Sequence, residues 1–342
     1  GQGSASKWPL AMMNLPNIQH GLWIVFLLVA ATSISIFLFL SRRAGIGILL
    51  LIPALSVIDG IRFDSRFIKL YDYKQQVTPN PLTNYLTSLP GKFRVFNITN
   101  LPQDYLPFYG IEVVAGYHGN QLRWYDDLIG GPGLVNQGNP QFLNLVGARY
   151  ILASSGTKIP PDYFGPDTLV LAQDFGSLAV FENKNALPRA FLVNKYEVVP
   201  IRRDIYPRLL SSRTNLKEMV FLEEEPNLNI TSNDSLSRPV DMISYSGDSV
   251  VIGVHNASNC LLILTDNYYR SWEAWVDGVK APILRADGAF RAVPLKAGAS
   301  RVIFRYNRSL NNLALVITLL TVFLVMIILA IYFFLYLKEK NG

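Results

Sequence analysis

The densest set of side chains able to do chemistry lies between Gly116 and Ile129, where Tyr117 and His118 are followed by Arg123, Tyr125, Asp126 and Asp127. A histidine near paired carboxylates is what general acid–base catalysis needs, because a carboxylate can orient the imidazole and tune its proton affinity. The same Tyr-, Trp- and Arg-rich stretch also suits a sugar or a lipid headgroup. A structural account competes with both: His118 and Arg123 would satisfy loop carbonyls while Tyr117 and Trp124 pack. The residue types leave these readings open, and no catalytic residue follows from them.

A second cluster gathers Asp266, Tyr268, Tyr269, Trp272, Trp275 and Asp277. Aromatic faces can stack on sugars, but at period two along strands they more simply build a core. The run Ala153-Ser154-Ser155-Gly156 lacks the pattern of a nucleophile elbow, and no phosphate-cradling loop is present. With one cysteine, Cys260, and three histidines, the chain composes neither an internal disulfide nor a zinc cluster. No metal and no cofactor is therefore expected.

The elements that must position these residues alternate in type. Pro81–Ser88 reads as a short helix and Lys92–Ile98 as a strand. Gln121–Ile129 and Gln141–Val146 read as helices, and strands follow at 148–153, 168–172, 178–182 and 190–199. Residues 204–221 are mixed, with helix as the leading reading. The Asn/Ser-rich stretch 226–239 reads as a linker. Six short apolar runs then fill residues 240–307, with Asp277-Gly278 as a strong hairpin signal between two of them. Regular short strands of this kind predict a small antiparallel β-sandwich.

Apolar runs bracket this block. Residues 21–41 and 312–337 are long enough to cross a bilayer core of about 30 Å as helices. Residues 44–59 are shorter and contain Pro53; they span if Arg42 and Arg43 snorkel, and otherwise form a re-entrant or interfacial piece. Arg42 and Arg43 sit between the first two runs, and Lys338 and Lys340 follow the last. Lys/Arg-rich short loops mark the cytoplasmic side. Three spans put both basic clusters on that side and residues 60–307 on the other, whereas two spans would split the clusters. The fold class expected is thus membrane α plus extracytoplasmic α+β: three transmembrane helices flanking a mixed α/β subdomain (60–225) and the β-sandwich (240–307). Residues 1–20 would be an outer tail or loop, and 338–342 a cytoplasmic tail. The polar start at Gly1 reads as a mid-protein loop, so the chain looks like a fragment.

Charge narrows the partners. Residues 60–310 hold 26 of the 31 basic and 23 of the 25 acidic residues, a net of +3 without a basic stripe. That argues against nucleic acid. A large outward domain without disulfides suits a bacterial cytoplasmic (inner) membrane, and the five Asn-x-Ser/Thr sequons read as chance.

Four stretches resemble the bacterial YfhO-like membrane proteins. They are Gly116-Tyr117-His118 with Leu122–Ile129, Phe142–Ile151, Ala186–Val193, and the closing module Tyr268–Gly278, Ala286–Val293 and Ala297–Tyr306. Arg270-Ser271 stands where that family has Pro-Gly, and Arg308 stands near its usual final Pro. The resemblance implies a multi-pass, GT-C-type glycosyltransferase-like protein using a polyprenyl-phosphate sugar. Its catalytic region would lie in an N-terminal transmembrane portion that this chain lacks. The present domain would then serve acceptor binding, through Tyr117, His118, Arg123, Tyr125, Asp126 and Asp127, or scaffolding. The implied partners are the bilayer, the sugar lipid, a cell-envelope glycan acceptor and that N-terminal portion. The alternative is a non-enzymatic envelope protein whose sandwich binds glycan or a partner protein.

Overall fold

The computed structural model describes residues 8–65, 68, 78–116, 121–160, 162–230 and 238–341, in two compact units, Gly1–Thr78 and Pro79–Gly342. The first contains α1 (Trp8–Leu40) and α2 (Leu51–Asp64), the latter preceded by a 3-10 turn over Ile46–Leu50. Helix α1 takes in residues 8–20, which composition suggested as a tail, and runs through Pro16 in its interior. A tight turn follows, in which Arg42 adopts a left-handed φ of 55°. Pro53 falls in the first turn of α2, where a missing N–H costs no helical hydrogen bond.

The second unit opens with α3 (Pro81–Ser88). The Asn80 side chain accepts from the Thr83 N–H and the Thr83 hydroxyl returns the contact, a capping box with Pro81 at the first helical position. Strands β1 (Arg94–Asn97), β2 (Ala148–Ser154), β3 (Leu169–Asp174) and β4 (Leu178–Asn183) form a four-stranded sheet of order β1-β2-β4-β3, with β1 and β2 parallel. Between β1 and β2 come α4 (Arg123–Ile129), ended by Gly130 at φ 100°, and α5 (Pro140–Leu145), capped by the Asn139 side chain.

The remaining strands are β5 (Ala190–Val193), β6 (Lys195–Val198), β7 (Met219–Leu222), β8 (Arg238–Pro239), β9 (Asp241–Tyr245), β10 (Ser249–Gly253), β11 (Cys260–Asn267), β12 (Trp272–Val276), β13 (Val279–Ala281), β14 (Leu284–Ala286), β15 (Phe290–Leu295) and β16 (Arg301–Tyr306). They form a five-stranded sheet, β13-β12-β16-β10-β9, and a seven-stranded sheet, β6-β7-β14-β15-β11-β5-β8. Helix α6 (Arg202–Leu209) precedes β7, and α7 (Ser309–Asn341) ends the described chain.

The seven-stranded sheet is the middle layer, and the alternation of β11 shows why. Cys260, Leu262 and Leu264 join one core with Val250 and Ile252 of β10 and Phe304 of β16. Leu261 and Ile263 join another with Leu128, Phe142 and Ile205 of α4, α5 and α6. Successive strand side chains point to opposite faces, so a strand buried on both reads as a continuous apolar run. This layering departs from the expected division at 226–239. Strands β5 and β6 precede that stretch yet share a sheet with β11, β14 and β15, and residues 231–237 lie outside the described residues.

Two turns carry the expected Asp-Gly chemistry. Asp277 and Gly278, at φ 50° and 86°, close the β12–β13 hairpin. Asp287 and Gly288 adopt the same hand, and a Cβ on Gly288 would sit 2.8 Å from the Tyr206 ring of α6. Asp287 is buried; its N–H donates to the Phe221 carbonyl at 2.7 Å, and its carboxylate accepts the Phe221 N–H at 3.0 Å.

Burial, only partly offset by that N–H, pushes the Asp287 carboxyl up to about 7. A raised carboxyl pKa means the fold favours the protonated acid. Its contribution to stability is full below the ordinary aspartate value and is lost as pH rises through about 7. Asp287→Asn keeps an acceptor without the charge. Urea unfolding across that window should show the native chain losing up to about 4 kcal/mol relative to the variant.

Candidate functional site

Three arginines stand in or beside strands of the sheets: Arg94 opens β1, Arg189 precedes β5 after Pro188, and Arg291 lies in β15 between Phe290 and Ala292. Phe290 and Ala292 face the helices, so strand alternation turns Arg291 toward the five-stranded sheet. The Arg189 and Arg291 side chains are only 2% and 4% exposed, and Arg94 is at 13%. Buried charges of this kind require partners.

The partner is Asp266, near the end of β11. The pairing of β11 with β15 shifts register between Leu264 and Asn267, a bulge that takes Thr265 and Asp266 out of the regular ladder. Bulges re-aim side chains in this way. The Thr265 N–H and hydroxyl both donate to the Arg189 carbonyl, at 2.9 and 3.1 Å, and hold the bulge. Arg94 Nη2 donates to Asp266 Oδ1 at 3.4 Å and to the Thr265 carbonyl at 2.9 Å. Arg189 Nη1 lies 3.3 Å from Oδ1 and Arg291 Nη2 lies 3.6 Å from Oδ2, both ion pairs without hydrogen-bond geometry. The Tyr245 hydroxyl of β9 reaches both carboxylate oxygens at 3.0 Å. Glu112 pairs with Arg189 and stands 3.9 Å from Arg94 Nε.

The groups come from all three sheets: Arg94 from the four-stranded, Asp266 and Arg291 from the seven-stranded, and Tyr245 from the five-stranded. They border a cavity of about 390 Å³ whose further wall includes Leu122, Tyr269, Trp272 and Tyr306. The Arg291 guanidinium lies 3.9 Å from the Trp272 ring centre, and Tyr269 stacks on Tyr306 at 6.2 Å.

Electrostatically the cluster is one carboxylate short. Three guanidinium groups face two carboxylates, and like charges about 4 Å apart still repel by about 4 kcal/mol at an effective dielectric of about 20. Burial above all, and Arg189 beside it, lower Arg291 to about 10 in spite of Asp266. Burial also lowers Arg94, with Arg189 adding to the effect. For Arg189, burial works against the charge, but Asp266, Tyr245 and Glu112 together raise its pKa. Burial first, and Asp266 second, push the Tyr245 hydroxyl up, so it stays a proton donor. Arg189 Nε and Nη1 and Arg291 Nη1 are buried without a hydrogen-bond partner.

The residues singled out from the sequence scatter around this site. Tyr117 and His118 lie outside the described residues. Arg123 is exposed at the start of α4. Tyr125 points inward and donates to the Val114 carbonyl at 2.6 Å; burial raises its pKa while Arg94 and Arg189 pull it down. Asp127 instead pairs with Arg202 of α6 at 2.8 Å. Two residues apart on a helix is about 200°, so Tyr125 and Asp127 cannot converge. Asp126, between them, is half-buried. From the second aromatic cluster, Asp266, Tyr269 and Trp272 do meet at the cavity, while Tyr268 and Trp124 flank Arg285 at 4.7 and 4.9 Å. Sequence reasoning missed Arg94, Arg189, Arg291, Glu112 and Tyr245. The available signal was a lone arginine inside an apolar strand, where a solvated face would offer several polar neighbours.

Among the described residues no group of three His, Cys, Asp or Glu side chains could hold a metal ion. Compared with known proteins, the chain matches no family model, no curated protein and no solved structure. Among the described residues, fold and site together define three helices long and apolar enough to cross a membrane, by length and composition, with mixed α/β sheets around a buried arginine cluster.

Removing one member of a buried charge cluster strands the others. Asp266→Asn should lower unfolding stability by about 3–5 kcal/mol, whereas Tyr245→Phe, which removes one neutral donor, should cost about 1 kcal/mol. Denaturant titration of both variants checks the ranking.

Proposed function

We propose that this chain is the C-terminal part of a multi-pass, YfhO-like, glycosyltransferase-like membrane protein. Its residues 60–307 would face outward from a bacterial cytoplasmic membrane and serve acceptor binding or scaffolding. The observation that carries the reading is the join between β16 and α7. Only Asn307 and Arg308 separate Tyr306 from a helix whose Ser309–Lys338 portion is apolar enough to span, with none of its best window buried in the protein. Such a surface is stable only against lipid or another apolar partner. Two further helices of spanning length, Met12–Leu40 and Ile46–Asp64, precede the domain and support insertion at both ends. The apolar core shared by the five- and seven-stranded sheets supports reading them as a β-sandwich, its second sheet completed by β5 to β8.

In this reading the polyprenyl-phosphate sugar is handled by the N-terminal transmembrane portion, and the chain alone transfers no sugar. Sustained turnover of such a donor by this chain would overturn that assignment. A second reading, a non-enzymatic envelope protein that binds glycan, draws on the Tyr269–Trp272–Tyr306 wall, whose rings suit sugar faces.

Orientation has a direct test, because the one cysteine, Cys260, is 2% exposed and gives little background. Val279→Cys, at a position 71% exposed, should react with a membrane-impermeant maleimide in intact spheroplasts. Ser41→Cys, in the basic turn, should react only after lysis. The opposite pattern would place the domain in the cytoplasm.

A further inference from the structure

We propose that the cavity at the three-sheet junction binds a phosphate-sized anion, with Arg291 as its principal ligand and the Tyr269–Trp272–Tyr306 wall against whatever the anion is attached to.

The first argument is charge. Arg94, Arg189 and Arg291 outnumber Asp266 and Glu112; Arg94, Arg291 and both carboxylates line the cavity, while the surplus guanidinium in the cluster, Arg189, is 2% exposed and does not line it. A guanidinium that is 4% exposed has little solvent about it, so an anion in the adjoining space would complement its charge. The second argument is unsatisfied valence. Arg291 donates Nε–H to the Asn267 carbonyl at 3.1 Å and stacks on Trp272, while its Nη2 meets Asp266 only as a 3.6 Å ion pair without a hydrogen bond. A guanidinium laid on an aromatic face keeps its edge donors free for an acceptor in its own plane, the geometry that phosphate oxygens match. The third argument is space and access. The cavity holds about 390 Å³ and is bordered on one side by Ser246 and Gly247, both exposed, which form its mouth.

The structural alternative treats the arginines as clamps between sheets. It accounts for Arg94, whose Nη1 and Nη2 are satisfied by the Val146 and Thr265 carbonyls. It leaves the loosely paired Nη2 of Arg291, on a residue that lines the cavity, unexplained. Tyr306 lines the cavity and stands three positions before α7, so the anion can be a free phosphate ester or the headgroup of a phospholipid. The proposal gives a ligand class to a site that the membrane reading leaves empty of chemistry.

The test uses the full chain, purified in neutral detergent and titrated at constant ionic strength with inorganic phosphate and with glycerol phosphate. In parallel, the chain is placed in phosphatidylcholine nanodiscs with and without phosphatidylglycerol, and thermal stability is read. Saturable one-to-one binding of either soluble ester identifies a free phosphate ligand. Stabilisation by phosphatidylglycerol alone identifies a headgroup. Gly247→Glu sets a carboxylate at the mouth, at a position where a Cβ meets nothing within 4 Å, so folding should be unchanged. Both Gly247→Glu and Arg291→Lys should weaken the observed binding by about tenfold or more, the loss of one charge-assisted pair. Binding that survives either substitution, or the absence of any response to phosphate, glycerol phosphate and phosphatidylglycerol, would overturn the site. The maleimide labelling reads orientation only, so either idea can fail without the other.

Discussion

One carboxylate organises this domain. Asp266 is 9% exposed in its side chain, and Arg94, Arg189, Arg291 and Tyr245 all come to it. Those groups come from all three sheets, so each sheet satisfies its buried polar group only in the register that delivers it to Asp266. Buried ion pairs often add little net stability, because desolvation offsets the Coulomb attraction. Here the cluster acts as a constraint on arrangement: a misdocked sheet strands a guanidinium in apolar surroundings. The apolar cores on both faces of the seven-stranded sheet supply the driving force, and the charge cluster selects among the packings they would permit.

The same constraint explains why a site exists there at all. The three sheets meet around a cavity edged by Arg94, Asp266, Arg291 and Tyr245. Tyr269, Trp272 and Tyr306 give it aromatic lining, and Arg94, Arg291, Asp266 and Glu112 give it charged lining. The β11 bulge serves both ends, since it aims Asp266 at the arginines while Thr265 holds the Arg189 backbone. Because β16 leads within two residues into α7, whatever occupies this space does so near the helix that the proposed topology sets in the bilayer.

Local features of the chain were legible from sequence because local chemistry determines them. The Asn80–Thr83 cap and Pro81 start α3 at the residue read from the pattern, and Asp277-Gly278 forms its hairpin because both positions need positive φ. The three apolar helices followed from length and composition, although α1 begins thirteen residues before the run at Gly21 and passes through Pro16. What sequence did not disclose was non-local. Strand β5 pairs with β11 and β6 pairs in parallel with β7, so residues on either side of 226–239 belong to one packed unit. No periodicity encodes such partners. The site was hidden for the same reason: Arg94, Arg189 and Arg291 look like ordinary strand residues until three distant segments are superposed on Asp266. The cluster at 117–127 attracted notice through sequence proximity, yet Tyr125 and Asp127 serve opposite faces of one helix.

The central claim, that Asp266 couples three sheets into one cooperative unit, is tested most directly by native-state amide hydrogen exchange on the Asp266→Asn variant. If the carboxylate is the shared hub, protection should fall by a similar factor in β2, β11 and β16, one strand from each sheet. A loss confined to β11 and its immediate neighbours, with β2 and β16 unchanged, would contradict the account and reduce Asp266 to a local contact.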